Sequence, residues 1–440
     1  MTLPPPRAAY LHIPFCHRRC FYCDFPVIPL GDKADGSRSL GIASYLELLQ
    51  QDIASSAEGP PLSTVYFGGG TPSLLTADQV AGLLAALEQR YGLAPGAEIT
   101  LEMDPATFDE SRLQALLRRG INRVSLGGQS LDDAVLEGLG RHHRRHHLVE
   151  AAGWLHKAHQ QRLLRSWSLD LIQGVPALPG GPNPLSPAES TRHWRHQLDQ
   201  ALELGPPHLS IYDLSIEPGT VFARRLEQGT LELPEDDLAA DLLELTAQRL
   251  RQAGYGRYEI SNYALPGHAS RHNRVYWSGA GWWGFGMGAT EAPFGRRHAK
   301  PRTRQGYALW LQERSPSPED IGQPFPLDEQ VIVGLRRREG VNLSRLLVEH
   351  GCRSADLESL KARLAPWIER QWLCIEGDRW RLSDPEGLDL SNSVLRDFLA
   401  WWLEQPASRA CAAGPSSPAE PQWPIPDHPA RVGKTVVGDR

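Results

Sequence analysis

Short apolar runs alternate along the first two thirds of the chain with stretches whose apolar residues recur at helical spacing. Residues 8–13 are apolar and run into Pro14, which reads as a strand. Residues 44–57 carry Leu46, Leu49 and Ile53 on one face and read as a helix. Thr64-Val65-Tyr66-Phe67 is a strand-forming run that enters Gly68-Gly69-Gly70-Thr71-Pro72, and Thr76 opens a helix predicted to reach Tyr91. The unit then repeats. Residues 98–105 form a strand ending in acids, before a helix over about 109–119. Residues 123–130 form a strand ending in glycine and an amide, and further strands are expected at 167–172 and 208–214. Strands alternating with helices imply a parallel sheet with right-handed crossovers. Polar residues gather at the strand C-termini, where such sheets place their chemistry.

The pattern changes after a proline-bearing linker at 315–326. Helices are expected at 328–338, 344–349 and 354–370, and residues 372–382 alternate around Gly377-Asp378 as a hairpin would. Three helices and a hairpin predict a winged-helix-like module. Residues 177–190 read as a Pro/Gly/Ser surface loop, and the chain beyond Gln405 as a disordered tail. The expected division is therefore residues 1–314, 315–404 and 405–440. The fold class is α/β: a partial (βα)6-type barrel with a smaller, mostly helical C-terminal domain.

The densest chemistry lies in the loop after the first strand. Cys16, Cys20 and Cys23 stand at C-x3-C-x2-C spacing. Three thiolates from one loop suit a [4Fe-4S] cluster, whose irons prefer sulfur; three ligands leave one iron open to chelate a small molecule. Zinc, completed by His12 or His17, and incidental cysteines are the alternatives. Cys352, Cys374 and Cys411 are scattered and read as structural or incidental. The strand-end glycines allow close backbone approach and leave N–H groups free for a carboxylate, amine or phosphate.

Composition narrows the function classes. At 440 residues two domains are expected, and a formal net charge of −6 argues against a nucleic-acid binder. No apolar run reaches transmembrane length and residues 1–7 lack a signal-peptide core, so a cytoplasmic protein with reduced thiols is expected. The run Arg141-His142-His143-Arg144-Arg145-His146-His147 reads mostly as the solvated start of a helix. His272-Asn273-Arg274-Val275-Tyr276-Trp277 precedes a glycine- and aromatic-rich segment with Trp282, Trp283 and Phe285. Aromatic walls, an imidazole and flexible glycines together suit a planar ligand such as a porphyrin.

The C-x3-C-x2-C spacing and the strand-end Gly-Gly-Gly-Thr-Pro resemble the radical S-adenosylmethionine (SAM) superfamily. Tyr10-Leu11-His12-Ile13-Pro14-Phe15-Cys16 and Asp170-Leu171-Ile172-Gln173-Gly174-Val175-Pro176 resemble the oxygen-independent coproporphyrinogen III oxidases and their relatives, over about residues 8–400. The oxidases carry a fourth cysteine two places after the third, where this chain has Phe25. The haem chaperones of the HemW type have phenylalanine there and an H-N-x-x-Y-W motif, which residues 272–277 match. The short stretch before Cys16 also favours that branch. Departures are Val175 for leucine, Thr290 where relatives often have histidine, and Gly128 for an apolar residue.

The resemblance implies a function and a set of roles. Cys16, Cys20 and Cys23 would hold the cluster. Gly69, Gly70 and Thr71 would present backbone groups to SAM, with Tyr10, Tyr22, Glu102, Gln129, Arg141 and Asp170 at SAM-contacting positions. His272, Tyr276 and Trp277 would contact haem. The expected protein is a haem chaperone with cluster, SAM and haem as cofactors, passing haem to an acceptor haem protein such as a respiratory one. Transient membrane association would come through the acceptor, and the cluster could support a homodimer. Radical chemistry is not assured in that branch. The rivals are a coproporphyrinogen III oxidase and a zinc-bearing scaffold with a nucleic-acid module.

Overall fold

The computed structural model describes residues 5–32, 35–176, 186–293, 297–313 and 326–405. The expected linker 315–326 apart from Pro326, the expected tail apart from Gln405, and most of the expected loop after Pro176 therefore lie outside the described residues. The described residues fall into two compact units, one holding those up to 233 and from 248 to 313, the other holding 234–247 and those from 326 onward.

The first unit is a run of strand–helix repeats. β1 (Ala8–Ile13) leads through the cysteine loop to α1 (Leu40–Ser55), then β2 (Leu62–Gly69) and α2 (Ala77–Tyr91). β3 (Leu93–Met103) and α3 (Glu110–Arg118) follow, then β4 (Arg123–Gln129), α4 (Asp133–Gly138) and α5 (Arg145–Gln160). β5 (Ser166–Gln173), α6 (Pro187–Glu203), β6 (His208–Asp213) and α7 (Val221–Glu227) continue the series, and α8 (Asp236–Gln252) belongs to the second unit up to Ala247 and to the first from Gln248. The unit ends with β7 (Gly256–Glu259), β8 (Asn262–Ala264), α9 (Arg271–Ser278), β9 (Trp283–Phe285) and α10 (Arg304–Glu313).

The sheet order is β9-β1-β2-β3-β4-β5-β6-β8-β7. Pairing is parallel from β9 through β6, and β8 and β7 close the far edge antiparallel. Helix boundaries follow the local chemistry. Thr76 caps α2 in a reciprocal bracket with Gln79, and Asp109 caps α3 through the Arg112 amide. Apolar stripes such as Val80, Leu83, Leu84 and Leu87 bury against the outward side chains of the strands. The other strand face is polar: Thr64, Glu98, Thr100, Arg123, Ser125, Ser168, His208 and Ser210 are all buried. Strand periodicity puts these on the same inner face as the acids and glycines of the strand ends.

Several expectations are corrected. The first helix starts at Leu40, capped by Ser39, and stops at Ser55. Pro187 to Ser190, expected in a loop, open α6 under a Ser186 cap. In the histidine-rich run the helix begins only at Arg145, and His143 is fully buried, so its middle is anchored and not solvated.

The second unit packs helices on a small antiparallel sheet. Its helices are α11 (Leu327–Leu335), α12 (Leu343–Glu349), α13 (Ser354–Arg363), α14 (Ala365–Glu369), α15 (Glu386–Asp389) and α16 (Ser391–Leu403). β10 (Val341–Asn342), β11 (Leu373–Glu376) and β12 (Arg379–Leu382) lie in the order β10-β12-β11. The hairpin turns at Gly377-Asp378, with Gly377 at φ 60°. The helix expected over 354–370 breaks at Leu364, because Pro366 cannot donate to the preceding turn. The core holds Trp380, Phe398 and Trp401. No described helix is long and apolar enough to cross a membrane.

Candidate functional site

The cysteine loop is laced to the strand ends around it. Phe15-Cys16 pairs in parallel with Ile28-Pro29, and the Leu30 amide donates to the Cys16 carbonyl at 2.8 Å. The Gly70 amide donates to the Ile13 carbonyl at 2.8 Å and the Thr71 amide to the Phe15 carbonyl at 2.7 Å. Glycine segment and cysteine loop are thus one unit. A Cβ on Gly70 would lie 2.9 Å from the Cys16 sulfur and 2.7 Å from the Phe15 carbonyl oxygen, so only glycine fits.

Cys16, Cys20 and Cys23 are free thiols, partly accessible. Burial pushes the Cys16 thiol up to about 12 and raises Cys23, because a low-dielectric setting penalises a free thiolate. Such sulfurs are poor free nucleophiles and become thiolates against a compensating cation. Three thiolates from one loop, with a guanidinium beside Cys20, match a four-iron cluster, which gives each thiolate its own iron. The donor set fits the cluster.

Arg141 is the cationic neighbour. Its Nη1 donates to the Cys20 sulfur at 3.6 Å, and its Nη2 donates to Asp104 Oδ2 at 2.6 Å and to the Gly127 carbonyl at 2.9 Å. Burial alone would raise the Asp104 carboxyl, but Arg141 and His143 outweigh it and hold it well below the usual range. His143 Nε2 bonds the Gly128 carbonyl at 3.0 Å. Gln129 takes a left-handed backbone, φ 63°, where the β4–β5 register slips after Gly127. A Cβ on Gly127 would meet the Gln129 amide at 3.2 Å and the Arg141 guanidinium at 3.3 Å, so the two stand together over a glycine. Gly128 has no space for the apolar side chain of related sequences: Leu169 and Leu148 already fill it, with Leu169 Cδ1 2.7 Å from the ideal Cβ.

Glu102 faces the glycines from β3. Its Oε1 accepts from the Tyr66 hydroxyl at 2.9 Å and its Oε2 from the Gly69 amide at 3.0 Å. Burial raises this carboxyl to about 7. Asp170, also raised by burial, accepts from Ser125 at 2.7 Å and Ser168 at 3.1 Å. Tyr10 stacks on Tyr66 with ring centroids 6.1 Å apart and shares a hydrogen bond with His12 Nδ1 at 3.0 Å. Tyr22 is half-buried beside Cys20 and Arg141, and desolvation raises its hydroxyl.

His272 is joined to the same face from the opposite end. It opens α9 and is 0% exposed, with Nδ1 2.9 Å from the Thr64 hydroxyl and Nε2 2.8 Å from the Tyr276 hydroxyl. Burial lowers the imidazole to about 3. Trp277 is half-buried and makes no hydrogen bond or ring contact among the described residues.

Sequence reasoning missed Tyr66, Asp104 and the serines around Asp170, and weighed His12 only as a zinc ligand. Period two from Tyr10 points to His12, and period two back from Gly68 points to Tyr66. His12 seals the pocket floor: its ring would lie 2.6 Å from a Cβ on Gly69, and its Nε2 bonds the Pro26 carbonyl at 3.1 Å.

Comparisons with known proteins agree with this arrangement. The family model of the radical SAM superfamily matches residues 10–176. The chain is 39% identical over 420 residues to "Heme chaperone HemW" of Synechocystis sp., covering 90% of this chain and 97% of that protein. It is 38% identical to the Escherichia coli protein of the same name, covering 91% and 100%. It is 32% identical to the bovine "Radical S-adenosyl methionine domain-containing protein 1, mitochondrial", covering 91% and 90%. Among solved structures, the Escherichia coli coproporphyrinogen III oxidase HemN superposes with a TM-score of 0.69 at 21% identity, over 90% of each chain, which shows a shared fold. The chain belongs to the HemW haem chaperone family of the radical SAM superfamily.

Proposed function

We propose that this protein binds haem and passes it to an acceptor haem protein, carrying a SAM-ligated [4Fe-4S] cluster on Cys16, Cys20 and Cys23. The match to haem chaperones over nine tenths of both chains carries this reading. Phe25 supports it. Where the oxidases carry a further cysteine, this side chain is 56% exposed, and Arg19 donates to its carbonyl at 2.9 Å.

The chain's own residues have distinct tasks in this reading. Arg141 would balance the negative charge at Cys20 and face a ligand carboxylate with Gln129. Glu102 and Asp170 would take the amino group and ribose hydroxyls. Gly69, Gly70 and Thr71 would give the ligand close backbone contact, with Tyr10 and Tyr22 as walls. When bound, the cluster supplies one-electron chemistry at its open iron. Tyr276 and Trp277 are proposed haem contacts. His272 would have to release Tyr276 to offer Nε2 to iron. The acceptor is proposed to be a respiratory haem protein, met transiently at a membrane by a cytoplasmic chaperone that dimerises through its cluster.

The test is anaerobic reconstitution of the full chain, followed by parallel haem-binding and decarboxylation assays. About four irons per chain, about one haem, and no conversion of coproporphyrinogen are expected. Alanine at any of Cys16, Cys20 or Cys23 should abolish the cluster absorbance. Robust decarboxylation would replace this reading with that of an oxidase, and zinc without iron or sulfide would remove the cluster.

A further inference from the structure

Glu102 spends both carboxyl oxygens inside the protein, one on the Tyr66 hydroxyl and one on the Gly69 amide. The Tyr66 ring is itself held on both sides. Tyr10 stacks on it at 6.1 Å, and His272 stacks on it at 5.1 Å with the ring planes 25° apart. His272 cannot swing, because Thr64 and Tyr276 hold its two nitrogens and its backbone amide donates to Glu98 Oε1 at 3.0 Å. There is no slack at the other end either. A Cβ on Gly68 would lie 2.8 Å from both Tyr10 and Tyr66 and 3.0 Å from Glu102. The contacts form one continuous series: Thr64 and Tyr276, His272, Tyr66, Glu102, Gly69. An aromatic stack and a hydrogen bond to a carboxyl are directional, so rotation of one member displaces the next.

We infer that His272 is a positioning residue of the SAM pocket: its clamped ring sets the plane of Tyr66, and Tyr66 fixes the Glu102 carboxyl and, through it, the Gly69 backbone. Helix α9 is thereby tied to the strand-end pocket. The inference rests on reading the strand-end glycines as the SAM site and is independent of where haem binds. It gives His272 a task that the imidazole performs while neutral and fully enclosed. The nearest alternative, axial ligation of haem iron, needs the ring withdrawn from Tyr276.

The experiment is a SAM titration of the anaerobically reconstituted full chain, followed by the cluster's electronic and EPR spectra, with haem titrated into the same preparations. His272→Ala and Tyr66→Phe should each raise the SAM dissociation constant about tenfold, the size of a lost bond to a buried charged group, with iron and sulfide content unchanged. His272→Gln keeps an amide within reach of Tyr276 but removes the ring from Tyr66, so it should lose SAM affinity nearly as His272→Ala does. The double variant His272→Ala/Tyr66→Phe should be little worse than the weaker single variant, because both act through one path. Haem stoichiometry and the Soret band should match the parent in Tyr66→Phe. If His272→Ala does not fold, Tyr66→Phe and His272→Gln retain the bulk and decide. Parental SAM affinity in both His272→Ala and Tyr66→Phe overturns the inference. So does a lost or shifted Soret band with normal SAM affinity, which would make His272 a haem ligand. A parent that binds SAM but no haem defeats the chaperone reading and leaves this one standing; a parent with no SAM response defeats this one.

Discussion

Glu102 titrates where a cell's pH lies, with burial raising it to about 7. An amino group is held by the carboxylate and not by the neutral acid, so SAM binding should tighten as pH rises from about 6 to about 8. Titrations across that range check this, and Glu102→Gln should bind more weakly with a flat profile. A flat profile in the parent would remove Glu102 from the amine. At this scale the sequence was partly legible. Cys16, Cys20 and Cys23 announce themselves by spacing, and Gly70 by its place at a strand end; the space for it is bounded by the Cys16 sulfur. His12 stood out only as a possible zinc ligand, not as part of the pocket. A single histidine in an apolar strand looks like any core residue, and only the fold puts its ring beneath Gly69. Asp104 read as one of two acids ending a strand, while its partner Arg141 lies 37 residues away.

Helix α9 shows what a short element needs to hold its place. Its eight residues are too few to be stable alone, and Ser270 and Glu98 supply what propensity does not. Ser270 accepts from the Asn273 amide at 3.2 Å, while Glu98, 3% exposed, accepts from the amides of Arg271 at 3.2 Å and His272 at 3.0 Å. Two free N–H groups and a helix dipole meeting one carboxylate predict that Glu98→Gln costs about 1–3 kcal/mol. Chemical denaturation with near-ultraviolet circular dichroism, which sees Tyr276 and Trp277, should report it; an unchanged midpoint would mean the cap is dispensable. Elements with local signals were legible from sequence. The Thr76 bracket and the Gly377-Asp378 turn are examples. Helix α16 has no side-chain cap and no acid in its first turn, and it went unread although Val394, Leu395, Phe398 and Trp402 bury one face. The cap of α9 was illegible for another reason: its carboxylate comes from 172 residues or more upstream.

On the scale of the whole molecule, burial of polar groups ties stability to pH. Burial holds His12 near 4 and His272 near 3, and lowers His208 well below its usual value. In the unfolded chain these rings take protons near 6.5, so their contribution is complete above that value and is lost as pH falls toward their folded values. Glu102 and Asp170 are raised and work the opposite way below about 7, but three histidines outnumber them. The melting temperature should therefore fall from about pH 6.5 to about pH 4.5, as calorimetry would record; a rise would mean the carboxyls dominate. The alternation of strands and helices made the sheet legible from sequence. Its polar inner face was not, since Thr100, Arg123 and Ser168 look like ordinary alternation with solvent until the strands close around them. One strand works at both ends of that face. Along β3, Glu98 caps α9, Glu102 braces the glycines, and Asp104, just past its end, anchors Arg141. Six residues of strand span about 20 Å, so β3 is a gauge whose marks must all fall on even counts. A residue inserted after Glu98 would slip Ile99, Leu101 and Met103 inward and spoil pocket and loop at one stroke, whereas one inserted at the exposed Pro95-Gly96 should be absorbed. Paired insertion variants, compared for iron content and SAM response, would read that gauge directly.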